Sequence, residues 1–189
     1  MGGSLGLAFV PLLRRVLMFL GVSLASIAFD QWTKQLAIEG LKGQPGHSWL
    51  EDTVRLQFAT NEGAFLSLGA SLPPQWRYWI LTLGVGALLL VLAVYAVGSK
   101  KLDLFQTAAY ALIASGGFSN WVDRARFDGV VVDFMNLGLG RLRTGVFNVA
   151  DVAILVGIGL LFLHGSRQDR ARKREAAAAA TQAPPPAQR

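Results

Sequence analysis

Asp133 and Asp151 stand among Val, Phe, Ala, Ile and Leu in the stretch "VVVDFMNLGLGRLRTGVFNVADVAILVG". Taking a carboxylate out of water costs several kcal/mol, so an acid in apolar surroundings is kept for pairing or for chemistry. Neither aspartate has a basic residue within four positions, so local ion pairing explains neither. Two carboxylates without local counter-ions suit an aspartyl dyad. Like charges about 3 Å apart cannot both ionise, so one keeps a proton while the other takes a proton from water. Such a pair hydrolyses an amide without a metal, a serine or a cysteine, and it titrates as a unit. Asn148, three residues before Asp151, falls on the same helical face.

The chain has no cysteine, which excludes a thiol nucleophile, a disulfide and a thiolate metal site. His47 and His164 are the only histidines and fall at opposite ends of the expected topology, so no metal or other cofactor is expected. Further polar residues interrupt apolar sequence: Asp30 and Lys34 at i and i+4 in "FDQWTKQ", and Asn120, Asp123 and Arg124 in "SGGFSNWVDRARFDG". For these the plainer reading is a pair of ion pairs, Asp30 with Lys34 and Asp123 with Arg124, holding helices together. An ion or proton carrier also buries acids in a bundle, although usually near the midplane.

The elements that must position these groups are membrane helices. Of the 189 residues 52% are hydrophobic and only 16% charged, and the mean hydropathy is +0.41. A soluble domain of this size carries far more charge. Four apolar stretches, at about residues 12–36, 77–98, 103–122 and 146–164, predict four transmembrane helices in one small bundle. Within the first stretch, Val16–Phe29 could pass for a signal-peptide core with "ASIA" as its cleavage site, but the polar residues that follow at helical spacing favour a retained helix. Charge sets the orientation. Arg14 and Arg15 at the start of helix 1, the segment between helices 2 and 3 with the start of helix 3, and the segment after helix 4 together hold ten basic residues against three acids, and the remainder holds eight against nine. Both termini are therefore expected in the cytoplasm. The basic balance follows from this topology and from anionic lipid, with no nucleic-acid partner expected. The five tryptophans fall at outer helix ends or in outer segments, where their rings suit the interface.

Between helices 1 and 2 the outer segment, about residues 40–72, predicts a small β-sheet. "TVRLQFAT" alternates with period two, and "AFLSLGASL" offers a second extended stretch after a turn at Asn61–Gly63. The segment Asn136–Arg143 is expected as a loop. Residues 1–165 form one membrane-embedded domain, and residues 166–189 a basic, Ala- and Pro-rich tail, disordered apart from its start.

Five blocks carry a resemblance: "DQWTK" (Asp30–Lys34), "NEGAF" (Asn61–Phe65), "GGFSNWVDR" (Gly116–Arg124), "VVDF" (Val131–Phe134) and "FNVAD" (Phe147–Asp151). In order and spacing the chain resembles the lipoprotein signal peptidases, or signal peptidase II. The resemblance implies an aspartic endopeptidase of the bacterial inner membrane, with its site near the periplasmic face. It would cleave prolipoproteins just before a cysteine already carrying diacylglycerol, acting as a monomer among membrane lipids. Asp133 and Asp151 then match the catalytic pair. Asn120, Asp123, Arg124 and Asn148 match supporting polar residues, and Asp30, Lys34, Asn61, Gly63 and Ala64 match positions shaping the site and the substrate groove. The periplasmic sheet corresponds to the family's cradle. Two departures stand out. Ser119 precedes Asn120 where the family usually has Gly, and Asp123 and Asp133 lie one position further apart than expected. Asp128, in the lengthened loop, is a rival carboxylate, discounted because Arg126 and Phe127 beside it fit a solvated loop face. A small transporter, which would show gradient-driven flux, and a non-catalytic membrane scaffold are the alternatives.

Overall fold

The structure, a computed structural model, describes residues 5–63, 71, 73, 75, 76 and 79–182, with residues 5–11, 175 and 177–182 described by backbone alone. Helix α1 (Leu5–Leu41) opens the chain. The segment Trp79–Gly84 is π-helical and runs directly into α2 (Val85–Gly98). Helix α3 (Leu104–Arg126) starts on a capping box: Asp103 accepts from the Gln106 backbone while the Gln106 side chain accepts from the Asp103 backbone. Helix α4 (Val149–Gln182) is the last element.

Among the described residues three helices are long and apolar enough to cross a membrane: Leu12–Leu41, Trp79–Gly98 and Val149–Arg174. Their outward residues, among them Leu17, Leu24, Leu88, Leu90 and Phe162, are exposed. Large apolar side chains on the outside and polar ones within is the arrangement expected where lipid is the solvent. Helix α3 is also long enough to span, but Asn120, Asp123, Arg124 and Arg126 crowd its outer end. It packs against α1, α2 and α4, and its buried face is made of small residues: Thr107, Ala109, Ala111, Ala114, Ser115, Gly116 and Ser119.

Small residues let backbones approach where apolar burial gives little net drive between helices. A Cβ on Gly116 would lie 2.4 Å from the Ala150 carbonyl oxygen, and one on Gly157 would lie 2.6 Å from that of Ala109. Helices α3 and α4 therefore touch backbone to backbone along two turns. On its other side α3 reaches the π-helical segment, where the Trp121 indole N–H donates to the Thr82 carbonyl at 2.8 Å. A π-turn leaves such carbonyls free to accept.

Among the described residues the sheet has four antiparallel strands in the order β1 (His47–Trp49), β2 (Val54–Asn61), β3 (Val131–Leu139) and β4 (Leu142–Arg143). The alternating stretch forms β2 as expected, but the sheet is not built only from the segment between the first two spans. Val131–Arg143, expected as a site residue followed by a loop, supplies half of it. The apolar run Val130–Met135 has no alternation to reveal a strand, and its pairing partner lies some 75 residues away, Val54 opposite Leu137 and Asn61 opposite Val131. Between Leu56 and Ala59 the register slips by one residue. This bulge sits beside Asp133, where extra local twist re-aims side chains. The second extended stretch expected at "AFLSLGASL" lies almost wholly outside the described residues.

The tail also differs from expectation. Helix α4 continues through Gln182 instead of ending near His164. Ala, Arg, Lys, Glu and Gln dominate 170–182, and all are strong helix formers able to extend a helix already nucleated in the membrane. At the inner end the Arg15 guanidinium donates to the carbonyls of Ser99 and Leu102, covering the turn between α2 and α3.

Candidate active site

Five elements meet at the end of the bundle that carries the sheet. Helix α4 begins there with Asn148 as its cap. The Asp151 backbone N–H donates to Asn148 Oδ1 at 3.0 Å, and the Asn148 N–H donates to Asp151 Oδ2 at 3.3 Å. The "FNVAD" block is thus a reciprocal capping box, which pins Asp151 in the first turn of the helix. The next free N–H, that of Ala150, donates to Asp30 Oδ1 of α1 at 2.7 Å. A helix start shut away from water has its donors satisfied, and the buried carboxylate of Asp30 gains from the positive end of the α4 dipole.

Asp133 arrives on β3 and Asp151 on α4, and both are buried. Two asparagine amides join them. Asn148 Nδ2 donates to Asp133 Oδ1 at 2.6 Å and to Asn120 Oδ1 at 3.0 Å. Asn120 Nδ2 in turn donates to Asp151 Oδ1 at 3.0 Å. Asn61 Nδ2 donates to the other Asp133 oxygen at 3.1 Å. Neither aspartate forms an ion pair among the described residues. Burial, reinforced by the charge of Asp151, raises the Asp133 carboxyl from 3.8 to about 6, against the lowering effect of the Asn61 and Asn148 hydrogen bonds. A carboxyl poised there holds a proton part of the time near neutral pH, as one partner of a dyad must.

Lys34 is the cation at the centre of the surrounding network. Its Nζ lies 2.8 Å from Asp30 Oδ2 and 2.8 Å from Asp123 Oδ2, with side-chain exposures of 3%, 0% and 1% for the three residues. It also donates to Asn120 Oδ1 at 2.8 Å. The ion pair expected between Asp123 and Arg124 is therefore not formed. Adjacent helical residues point about 100° apart, so Asp123 turns to α1 while Arg124 turns to the outer segment. Arg124 Nη2 donates to the Gly63 carbonyl at 2.5 Å, Nη1 donates to the Asn120 carbonyl at 3.3 Å, and its buried Nε has no partner among the described residues. Asp123 Oδ2 also accepts from the Val132 backbone at 3.2 Å, and Asn148 Nδ2 donates to the Val132 carbonyl at 3.3 Å. Val132, the residue leading into Asp133, is thus held at both its N–H and its carbonyl.

Of the residues expected from sequence, Asp30, Lys34, Asn61, Gly63, Asn120, Asp123, Arg124, Asn148, Asp133 and Asp151 all fall within this one network. Ala64 lies outside the described residues. Asp128 is exposed at φ +52° in the turn after α3, which with Gly129 at φ +91° absorbs the extra residue and leaves Asp128 out of the network. Three participants were not expected. Gln31 Nε2 donates to Asp123 Oδ1 at 2.7 Å and to Ser119 Oγ at 3.0 Å. Ser119, noted only as standing where the family usually has Gly, donates to Asp30 Oδ2 at 2.7 Å. Asn136, expected in a loop, is buried and accepts from Arg143 Nε at 2.6 Å, tying β3 to β4. Nothing in the local pattern marked Gln31 or Asn136; Ser119 was marked only as a departure.

The family described as Signal peptidase (SPase) II matches residues 22–167. The lipoprotein signal peptidase of Halalkalibacterium halodurans is 34% identical over 154 residues, covering 82% of this chain and 95% of that protein. That of Actinobacillus succinogenes is 34% identical over 161 residues, covering 84% and 96%. The Escherichia coli K12 protein of the same name is 35% identical over 121 residues, covering 64% and 73%. A solved bacterial membrane enzyme shares the fold with a TM-score of 0.66 at 20% identity, covering 80% of this chain and 88% of that one. A second, described in the same words, gives 0.65 at 21% identity. The matched stretch takes in every residue of the buried network, and the chain belongs to the signal peptidase II family.

Proposed function

We propose that Asp133 and Asp151 are the catalytic dyad of this peptidase and that it removes the signal peptide from diacylglyceryl-modified prolipoproteins, cutting before the lipidated cysteine. The observation that carries the proposal is the pairing of two buried carboxylates, brought from a strand and a helix, through the amides of Asn148 and Asn120. With one proton between them, the ionised partner takes a proton from an attacking water and the protonated one stabilises the developing oxyanion. The leaving amine then collects the proton taken from water. The Nε of Arg124, without a partner among the described residues, is a donor available to a peptide carbonyl beside the dyad, holding the scissile bond in line.

The surroundings fit an apolar substrate whose cleavage point lies at the membrane surface. On this reading α3 is a fourth span in addition to the three apolar helices, both termini are cytoplasmic, and the dyad lies near the periplasmic face of a bacterial inner membrane. The four-stranded sheet then covers that face, and the chain works as a monomer embedded in lipid.

The test is cleavage of a purified diacylated prolipoprotein by the wild type and by Asp133→Asn, Asp151→Asn and Asp128→Asn. Loss of nearly all product with the first two and normal product with the third is expected. A dead Asp128→Asn beside an active Asp133→Asn would move the dyad from Asp133 to Asp128, and cleavage by every variant would end the proposal.

A further inference from the structure

The two carboxylates sit on different elements, which the Met135–Phe147 bridge joins directly, and their placement also depends on what holds strand β3 and the start of α4 against α1 and α3. Asp123 holds the first through the Val132 N–H, and Asp30 holds the second through the Ala150 N–H. Between these two acids lies a short side-chain relay. Gln31 Nε2 donates to Asp123 Oδ1 at 2.7 Å and to Ser119 Oγ at 3.0 Å, and Ser119 Oγ passes its own proton to Asp30 Oδ2 at 2.7 Å. Gln31 Nε2 also reaches the Ser119 carbonyl at 3.3 Å, and its Oε1 accepts from Arg126 Nη1 at 3.3 Å, which orients the amide. Ser119 is fully buried.

We propose that Gln31 and Ser119 are a pair of positioning residues that lock the two aspartate-bearing elements at a fixed spacing. The inference rests on the reading of Asp133 and Asp151 as the dyad. Lys34 supplies the charge that Asp30 and Asp123 need, but it contacts only one oxygen of each, Oδ2 in both cases. Asp30 is already held at Oδ1 by the Ala150 N–H, but Asp123 meets both Lys34 and the Val132 N–H through Oδ2, and a carboxylate held through one oxygen still rocks about its Cβ–Cγ bond. The relay closes Asp123 at Oδ1 and adds a second donor to Asp30 Oδ2, so that the Val132 and Ala150 amides meet acceptors in fixed planes. A displacement of about 1 Å between reacting groups is enough to cost orders of magnitude in rate, so a network that fixes this spacing acts on the chemical step and not on substrate affinity.

The experiment uses Ser119→Ala, Gln31→Leu and the double variant in the full chain. Ser119→Ala needs no more room than the native side chain, Gln31→Leu changes a half-buried position by little in size, and both introduce good helix formers. Turnover and KM on the diacylated prolipoprotein are measured together with amide hydrogen exchange over 131–133 and 148–151. Each single variant is expected to lose about fivefold in kcat, the worth of one net hydrogen bond, with KM within twofold. The double variant should be no more than about twofold worse than either single, because the two residues act as one relay. Exchange should quicken in both segments while the mid-membrane turns of α1 and α4 stay protected. Unchanged kcat in the folded single variants, or losses that multiply in the double, would overturn the relay. If the wild type itself fails to cleave, the proposed function falls, and exchange alone decides the relay: unaltered protection of both segments would reject it.

Discussion

Replacing Lys34 by Met keeps the length and apolar stem of the side chain and removes one buried charge. The charge has three partners at 2.8 Å, namely Asp30, Asp123 and the Asn120 amide oxygen, and all lie away from solvent. Breaking a buried ion pair from one side typically costs about 3–5 kcal/mol, because the other charge stays behind. Here two carboxylates stay behind. Each retains other donors, Ser119 and the Ala150 N–H for Asp30, Gln31 and the Val132 N–H for Asp123, so the lower figure of about 3 kcal/mol applies. That is a large share of the roughly 5–15 kcal/mol by which a folded protein exceeds its unfolded state. Replacing all three residues together, Lys34→Met with Asp30→Asn and Asp123→Asn, removes the stranded charges and should recover most of the loss. Denaturant unfolding in detergent micelles measures both variants, with Arg55→Met as the control, since its partner Asp52 is exposed and its loss should be much smaller. A Lys34→Met protein within about 1 kcal/mol of the wild type would refute the claim that this lysine holds the site together.

Further outcomes follow from the same geometry. Asp133 has a folded-state pKa raised above 3.8 to about 6, so the stability tied to its protonated form is complete below about pH 4 and is lost as the pH rises through 6. The loss amounts to about 3 kcal/mol by pH 7, and Asp133→Asn should flatten that part of the stability profile and unfold later than the wild type at pH 7. Gly116→Ala drives a methyl against the Ala150 carbonyl and should cost about 1–3 kcal/mol, with reduced turnover in the folded fraction as Asp151 shifts away from Asn120. Cleavage should survive EDTA, given the absence of cysteine and the placement of His47 and His164 at opposite ends of the bundle; activity lost to EDTA and restored by zinc would contradict a dyad. Reporter fusions after Gly98 and after His164 should read as cytoplasmic and one within 43–49 as external, and a C-terminus reading as external would put the orientation, and the dyad's place on the outer face, in error.

What the chain determines by itself is local. Uncharged stretches of spanning length, the period-two alternation that becomes β2, and the i to i+3 relation of Asn148 and Asp151 follow from helix and strand geometry alone. The burial cost of a lone carboxylate likewise singles out Asp133 and Asp151 without any fold. Partner choice is another matter. Asp123 is adjacent to Arg124 yet binds Lys34, because the direction of a helical side chain is set by rotation about an axis and the neighbouring helix decides what it meets. Asp30 caps a helix that begins 119 residues later, and Ser119 turns from a spacer into a donor only because α1 brings Asp30 and Gln31 against it. The strand character of Val131–Leu139 was hidden for the same reason: its hydrogen-bond partners come from β2, across the whole of α2 and α3. Contacts of this kind depend on how closely backbones approach, here through Gly116 and Gly157, and that distance is a property of the packed bundle and not of any one segment.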